Sequence, residues 1–513
     1  MGTVLICCKM KGAEEEKMKN LVLLTVVLLN FSLIPWLCST STVNADLSPQ
    51  HAPKNKQQVS LSPFEGSILL GAPDPEKLSA NILAKHPSHL YLAWGETSQH
   101  YTHKSIVVSA DSQNPAVLLM NHLQAGKKYF YRLYFKKQSE NTYQKSDEYS
   151  FHTPRLPGQS FTFTLQSDSH LFKRADQEVY RQSLEAMKQF QADFLLDLGD
   201  TFIHDESSQV QHPSWEKIAE PYLQQRSFFD IVSRNSSIFL ALGNHDGEAK
   251  EYFDATDQNL AVKATQARKK FFPNPQVNAY YSGNEEMEDF VGHPQNYYAF
   301  EWGDALLVVL DYYRYKNPDG LPSDHPWSWT LGKTQYDWFQ HTLESSKVKF
   351  KFVFAHHTNG IGRGGKAYSR LFEWGGYSAN GKYLFDEMRP GWGKPIHQIM
   401  KDNGVSIFFQ GHDHVFAMEE VDGIVYQTLP RSSEKKAERL NVFALYPEAY
   451  LLLNSGFIKV DVNPQEVFVS YYRSYFVSSD PQESNTGIIF RYSVDSKGKI
   501  TIIQDKQDNL SKY

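Results

Sequence analysis

Residues 161–200 decide the fold: FTFTLQSDSH (161–170), DQEVYRQSLEAMKQFQ (176–191) and DFLLDLGD (193–200). The first piece alternates Phe and Thr and ends in polar residues, the pattern of a strand. In the second, Val179, Ser183, Met187 and Phe190 recur at helical spacing, and the third is another apolar strand that closes on a carboxylate. Strand, helix and strand in that order predict a β–α–β unit and an α/β sheet.

Working outward, four more apolar segments end in the same way. SIFLAL precedes GNHD (243–246), ALLVVL precedes Asp311, FKFVFA precedes His356, and VSIFF precedes Gln410. GKTQYDWFQHTLESSK (332–347) reads as an amphipathic helix between two of them. Strands that repeatedly terminate in Asp, Asn or His are expected where the active site lies at the carboxyl ends of the strands. Beyond about residue 415 the text returns to strands (GIVYQTL, GFIKVDV, VFVSYY, GIIFRYSV) that close the sheets of the same domain.

On the N-terminal side the texture is different. LYLAWGE (90–96), SIVVSA (105–110) and YFYRLYF (129–135) alternate at period two between turn residues, which predicts a small all-β sandwich. Pro154, Pro157 and Gly158 mark its end. Further out, LVLLTVVLLNFSLIPWL (21–37) follows Lys17 and Lys19 and precedes small polar residues ending in V-N-A at Ala45, the order of a secretory signal; Met18 is a plausible start. An uncleaved anchor is the alternative, although Asn30 and Pro35 interrupt a run short for a span; a lipoprotein site at Cys38 is disfavoured by the bulky Trp36 and Leu37. The expected division is therefore 1–45 leader, 46–155 sandwich and 156–513 catalytic domain. The expected location is secreted or periplasmic, with no membrane span after cleavage.

Composition removes several chemistries. The 513 residues carry Lys+Arg 52 against Asp+Glu 58, a net charge of −6 without blocks of like charge, so nucleic-acid binding is not expected. The three cysteines are Cys7, Cys8 and Cys38, which excludes disulfide scaffolds, thiol nucleophiles and thiolate metal sites from the folded body. A metal site must then be built from Asp, Asn and His.

Those residue types stand at the strand ends: Asp168-Ser-His170, Gly199-Asp200, Gly243-Asn244-His245-Asp246, His356-His357 and Gly411-His412-Asp413-His414. Each alone has an ordinary reading as a turn or loop. In this order, each after an apolar strand, they resemble the calcineurin-like metallophosphoesterase superfamily over about 168–414. With the preceding sandwich, whose 123–135 and 151–154 segments resemble a fibronectin type III-like domain, the layout resembles purple acid phosphatases. The resemblance implies a four-layer α/β/β/α fold, a small phosphate ester as substrate, and two divalent metal ions (Mn, Fe, Zn or a mixed pair). It implies that Asp168, His170 and His414 hold one ion, that Asn244, His356 and His412 hold the other, and that Asp200 bridges them. It further implies His245 as general acid, with Asp246 orienting it. Hard and borderline cations are held by such carboxylates and neutral imidazoles.

Two departures from the purple enzymes are legible. GDTFI puts Ile203 where they carry a tyrosine, and His170 stands where they carry Gly. A colourless protein is expected.

The Gly-rich segment 360–392 follows directly from His356 and His357. It reads either as a substrate lid, with Arg363 or Arg370 on phosphate oxygens, or as a surface loop packed on the 250–330 region. His357 and Arg174 are further substrate candidates. The expected activity is that of a phosphatase, with a phosphodiesterase on nucleotide or phospholipid-type esters as an alternative. A non-catalytic cell-surface binding protein on the same scaffold is the third reading.

Overall fold

The computed structural model describes residues 64–171, 175–204, 212–315, 321–322, 324–360, 362–434, 444–452, 455–474 and 487–505. The expected leader and Arg174 lie outside the described residues.

The helix expected after Asp168 spans Gln177–Gln189, started by the Asp176 carboxylate, which accepts from the N–H groups of Glu178 and Val179. Its buried face includes Val179, Ser183 and Met187, as the spacing requires. The strands it joins, Phe161–Gln166 and Phe194–Asp197, pair in parallel, and Ser237–Leu240 pairs in parallel with the second. They form the centre of a ten-stranded sheet. C-terminal strands Gly456–Val462, Glu466–Arg473, Ile488–Asp495 and Ile500–Asp505 extend it on one side.

An eight-stranded second sheet holds Ala305–Val309, Phe350–Phe354, Ile407–Gln410 and Ile424–Thr428 as parallel neighbours. The inner faces of the two sheets meet in one aromatic-rich core containing Phe163, Leu196, Phe239, Leu307, Phe352 and Phe409. Helices Gln177–Gln189, Trp215–Ser233 and Leu260–Phe271 cover the outside of the first sheet. Lys333–Ser345 and Ile396–Asp402 cover the second, giving four layers, α/β/β/α. No helix among the described residues is long and apolar enough to cross a membrane.

The N-terminal strands form a sandwich with a core of its own, in which Ile68, Leu78 and Leu118 face Leu92, Leu133 and Phe151. One of its layers is also part of the ten-stranded sheet. Gly66–Gly71, Lys77–Ala84 and Ala116–Asn121 continue past Ser237–Leu240, with Gly71 paired in parallel to Ile238. Only that one residue pair joins the strands, so the other inner N–H groups of Gly66–Gly71 need acceptors. Helix Trp215–Ser233 supplies them: Asp230 accepts from Ile68 N at 2.7 Å and Ser233 Oγ from Leu70 N at 2.8 Å. The buried Arg226 then bridges both strands, reaching Ser67 Oγ at 3.0 Å and Asn81 Oδ1 at 2.7 Å.

Candidate metal centre

Because the parallel strands of both sheets point the same way, their carboxyl ends deliver the polar clusters to one place. The turns that follow are unusually tight. Asp168 (φ 57°), His170 (φ 40°), Asp200 (φ 54°), His412 (φ 66°) and His414 (φ 62°) all have left-handed backbone. Each such conformation costs a non-glycine residue about 1–3 kcal/mol, a strain typical of functional sites. The motif glycines permit the crowding. A Cβ on Gly243 would sit 2.3 Å from Asp200 Oδ1, and one on Gly411 would sit 1.9 Å from Ser167 Oγ.

Two groups with the spacing of metal ligands result: Asp168, His170 and His414, and Asp200, His356 and His412. In the first, Asp168 Oδ1 lies 3.1 Å from His414 Nε2 and 3.6 Å from His170 Nε2. In the second, His356 Nε2 lies 3.2 Å from Asp200 Oδ2 and 3.3 Å from His412 Nδ1. The two groups share an atom's neighbourhood, since Asp200 Oδ2 is also 3.4 Å from His170 Nε2. The other oxygen, Oδ1, accepts the His245 N–H at 2.9 Å, which turns Oδ2 toward both groups.

The imidazole orientations follow from backbone acceptors. His356 Nδ1 is 2.8 Å from the Leu198 carbonyl and His412 Nε2 is 3.0 Å from the Gly362 carbonyl. A carbonyl only accepts, so those nitrogens carry protons, and His356 Nε2 and His412 Nδ1 face each other with at most one proton between them. A cation bound there would displace that proton. Asn244 Oδ1 and Asp168 Oδ1 are buried without a hydrogen-bond partner among the described residues. This donor set of carboxylate, amide oxygen and imidazole fits a pair of divalent ions.

The electrostatics agree. Burial penalises the Asp168 and Asp200 charges, yet the surrounding imidazoles hold both carboxyls well below the usual range. Burial lowers His356, but the Asp200 and Asp168 charges prevail and push it up to about 10. His412 goes well below the ordinary value through burial and its histidine neighbours.

Around this centre, His245 is partly exposed, with its side chain 30 % accessible and Nε2 3.9 Å from Asp200 Oδ2. Asp246 is placed differently from the expectation that it orients His245. Its carboxylate accepts from the N–H groups of Gly243, Asp200, Thr201 and Phe202 at 2.7–3.1 Å. It therefore clamps two ligand turns together rather than holding the imidazole. The residues are adjacent in sequence, but their side chains leave the turn in different directions. Burial and the Asp200 charge push the Asp246 carboxyl up to about 7, against the pull of those donors.

Of the substrate candidates, Arg363 reaches the centre, donating from Nη1 to the His412 carbonyl at 2.7 Å with its side chain 31 % accessible. His357 is buried against the His412 ring, 4.8 Å between centroids, outside both ligand groups. Burial, the charge of His356 and Arg363 push its pKa down to about 3, so it stays neutral. Arg370 is exposed and lies over the Tyr377 ring at 5.8 Å. The 360–392 segment divides accordingly. Residues 362–364 lie on the HDH turn, while Phe372, Trp374 and Phe385 are built into the core, and Arg389 donates to the buried Glu373 at 2.6 Å.

Residues that sequence reasoning passed over support the turns from behind. Asp413 accepts from Gly364 N at 2.6 Å and from Tyr446 O–H at 2.5 Å. Asp197 accepts from Gln166 Nε2 at 2.8 Å and from Gly199 N at 3.1 Å. Asp413 was visible inside its motif; Asp197 ends its strand on the same footing as Asp200.

Residues 161–416 match the family model described as calcineurin-like phosphoesterase. The chain belongs to the calcineurin-like phosphoesterase family. Membership implies divalent metal ions and phosphoester substrates. Among solved structures, PhoD is similar over 86% of this chain and 92% of its own at 14% identity, with a TM-score of 0.62. Purple acid phosphatase PPD1 from yellow lupin (Lupinus luteus) seeds is similar over 85% of this chain and 75% of its own at 13% identity, with a TM-score of 0.53. At these identities the likeness is one of fold. No curated protein matches the chain by sequence.

Proposed function

We propose that the protein is a phosphatase that hydrolyses small phosphate monoesters at a two-cation centre. The observation that carries this reading is Asp200 Oδ2, which sits 3.4 Å from a histidine of one ligand group and 3.2 Å from a histidine of the other. A pair of divalent ions supplies a nucleophilic hydroxide near neutral pH and neutralises charge on the phosphoryl oxygens. Asp168, His170 and His414 would hold one ion, Asn244, His356 and His412 the other, and Asp200 would join them. The chain's own residues do the rest. His245, at the accessible rim, carries a proton to the leaving-group oxygen. Arg363, fixed on the His412 carbonyl, places a permanent positive charge beside the centre, which suits the dianion of a monoester.

The order of charges and apolar residues over 17–45 supports export, and the thiol-free ligand set is compatible with an oxidising compartment. Release of nitrophenolate from p-nitrophenyl phosphate and from its bis ester, with Mn²⁺ and then EDTA, tests the reading. The monoester is expected to turn over faster, EDTA to abolish activity and Mn²⁺ to restore it. Activity that survives complete metal removal contradicts the mechanism, and a faster bis ester makes the protein a diesterase.

A further inference from the structure

The strand Ala305–Val309 also ends at the centre, and its carboxylate, Asp311, takes no part in either ligand group. Asp311 instead shapes a turn. Its Oδ1 accepts from Tyr313 N at 2.9 Å and Arg314 N at 3.3 Å, and its Oδ2 from Asn296 Nδ2 at 2.6 Å. Gln335 fixes the Asp311 backbone on both sides, at 2.9 and 2.8 Å. Beyond the turn, Arg314 is anchored on Glu288 at 2.7 Å and on Glu248 at 3.4 Å.

This scaffold holds one side chain against the metal centre. The Tyr313 ring meets His356 edge-on at 6.0 Å and Trp329 at 5.6 Å. Its hydroxyl is buried and has no hydrogen-bond partner among the described residues. The neighbouring Tyr312, also buried, has its hydroxyl 3.2 Å from Glu373 Oε1. The carboxylates that bear most on the Tyr313 phenol are Asp200 and Asp168, ahead of Asp311 on its own turn. An unsatisfied buried hydroxyl is costly, and its orphaned state is shared with the Asn244 and Asp168 oxygens of the centre. Its partner is then expected to arrive with the substrate.

We propose that Tyr313 is a further catalytic residue, whose phenol donates a hydrogen bond to a phosphoryl oxygen of the ester bound at the metal centre. The proposal rests on the phosphoesterase reading of the site. A neutral donor fixed in advance gains strength as negative charge builds on that oxygen, without any reorganisation during the reaction.

The test compares Y313F with Y312F on metal-loaded protein, using p-nitrophenyl phosphate turnover, inhibition by inorganic phosphate, metal content and thermal melting. For Y313F, kcat is expected to fall about 10- to 100-fold and phosphate to bind about tenfold more weakly, with metal content and melting unchanged. Y312F is expected to match wild type in turnover. Unaltered kcat and phosphate affinity in Y313F overturn the proposal. So does a loss of metal that matches the loss of activity, or a visible absorption band of the wild type that vanishes in Y313F, since either makes Tyr313 a ligand. If the wild type hydrolyses no ester, the functional reading fails, and calorimetry of phosphate binding still decides Tyr313.

Discussion

Two buried clusters of charge lie close together in this molecule and are balanced in opposite ways. In one, Glu248 accepts from Arg268 at 2.6 and 2.9 Å, from Thr265 at 2.8 Å and from Arg314 at 3.4 Å, and Arg314 also pairs with Glu288. The cations are part of the chain. In the other, Asp168 and Asp200 face a ring of imidazoles, and acceptor atoms such as Asn244 Oδ1 have no partner among the described residues. Buried carboxylates surrounded by guanidinium groups are complete, whereas buried carboxylates faced by imidazoles, which can lose their protons, can take a cation from outside. The first cluster is structural, and the second is the candidate site for chemistry.

His245 offers the largest break within the second cluster. H245A should lower kcat by about 10²- to 10⁴-fold, with metal content unchanged, because it removes a proton donor and not a ligand. A steady-state assay with elemental analysis checks both halves. In the first cluster, E248Q should destabilise the protein by about 3–5 kcal/mol in urea unfolding, because it leaves the buried Arg268 without its counter-charge.

Proton release sharpens the contrast further. With His356 pushed up to about 10, the metal-free centre keeps a proton that a metal must displace. Apparent metal affinity should therefore rise about tenfold per pH unit up to about 10, then level off. Calorimetry at pH 8 in buffers of different ionisation enthalpy reads the released proton; heats independent of buffer contradict it. The smallest effect belongs to Arg363, where R363A should raise KM for the monoester about tenfold with kcat nearly unchanged.

Much of the centre was legible because its chemistry sits at the ends of apolar strands. Asp168, Asp200, His356 and His412 each follow a run that can only be a buried strand, so their meeting place follows from the sheet. What the sequence hid was direction and partnership. Asp246 looked like a partner of His245 because they are neighbours, but its oxygens are taken by four backbone N–H groups. Gly71 and Ile238 pair across a large sequence separation, and nothing local in either segment announces that the sandwich shares a sheet with the catalytic layers. Asp311 follows its strand as the aspartates of the centre follow theirs, but it shapes the turn that presents Tyr313. The carbonyls of Leu198 and Gly362, which orient two histidines, have no side-chain signature at all.

On the proposed function Asp200 joins two cation sites, and the metal content of D200N reads this out. Wild-type protein saturated with Mn²⁺ and freed of excess should hold two ions per chain by elemental analysis. D200N should hold at most one and lose activity by at least about 100-fold. A wild type that is fully active with one ion, or a D200N protein that retains both ions and its turnover, would contradict the account.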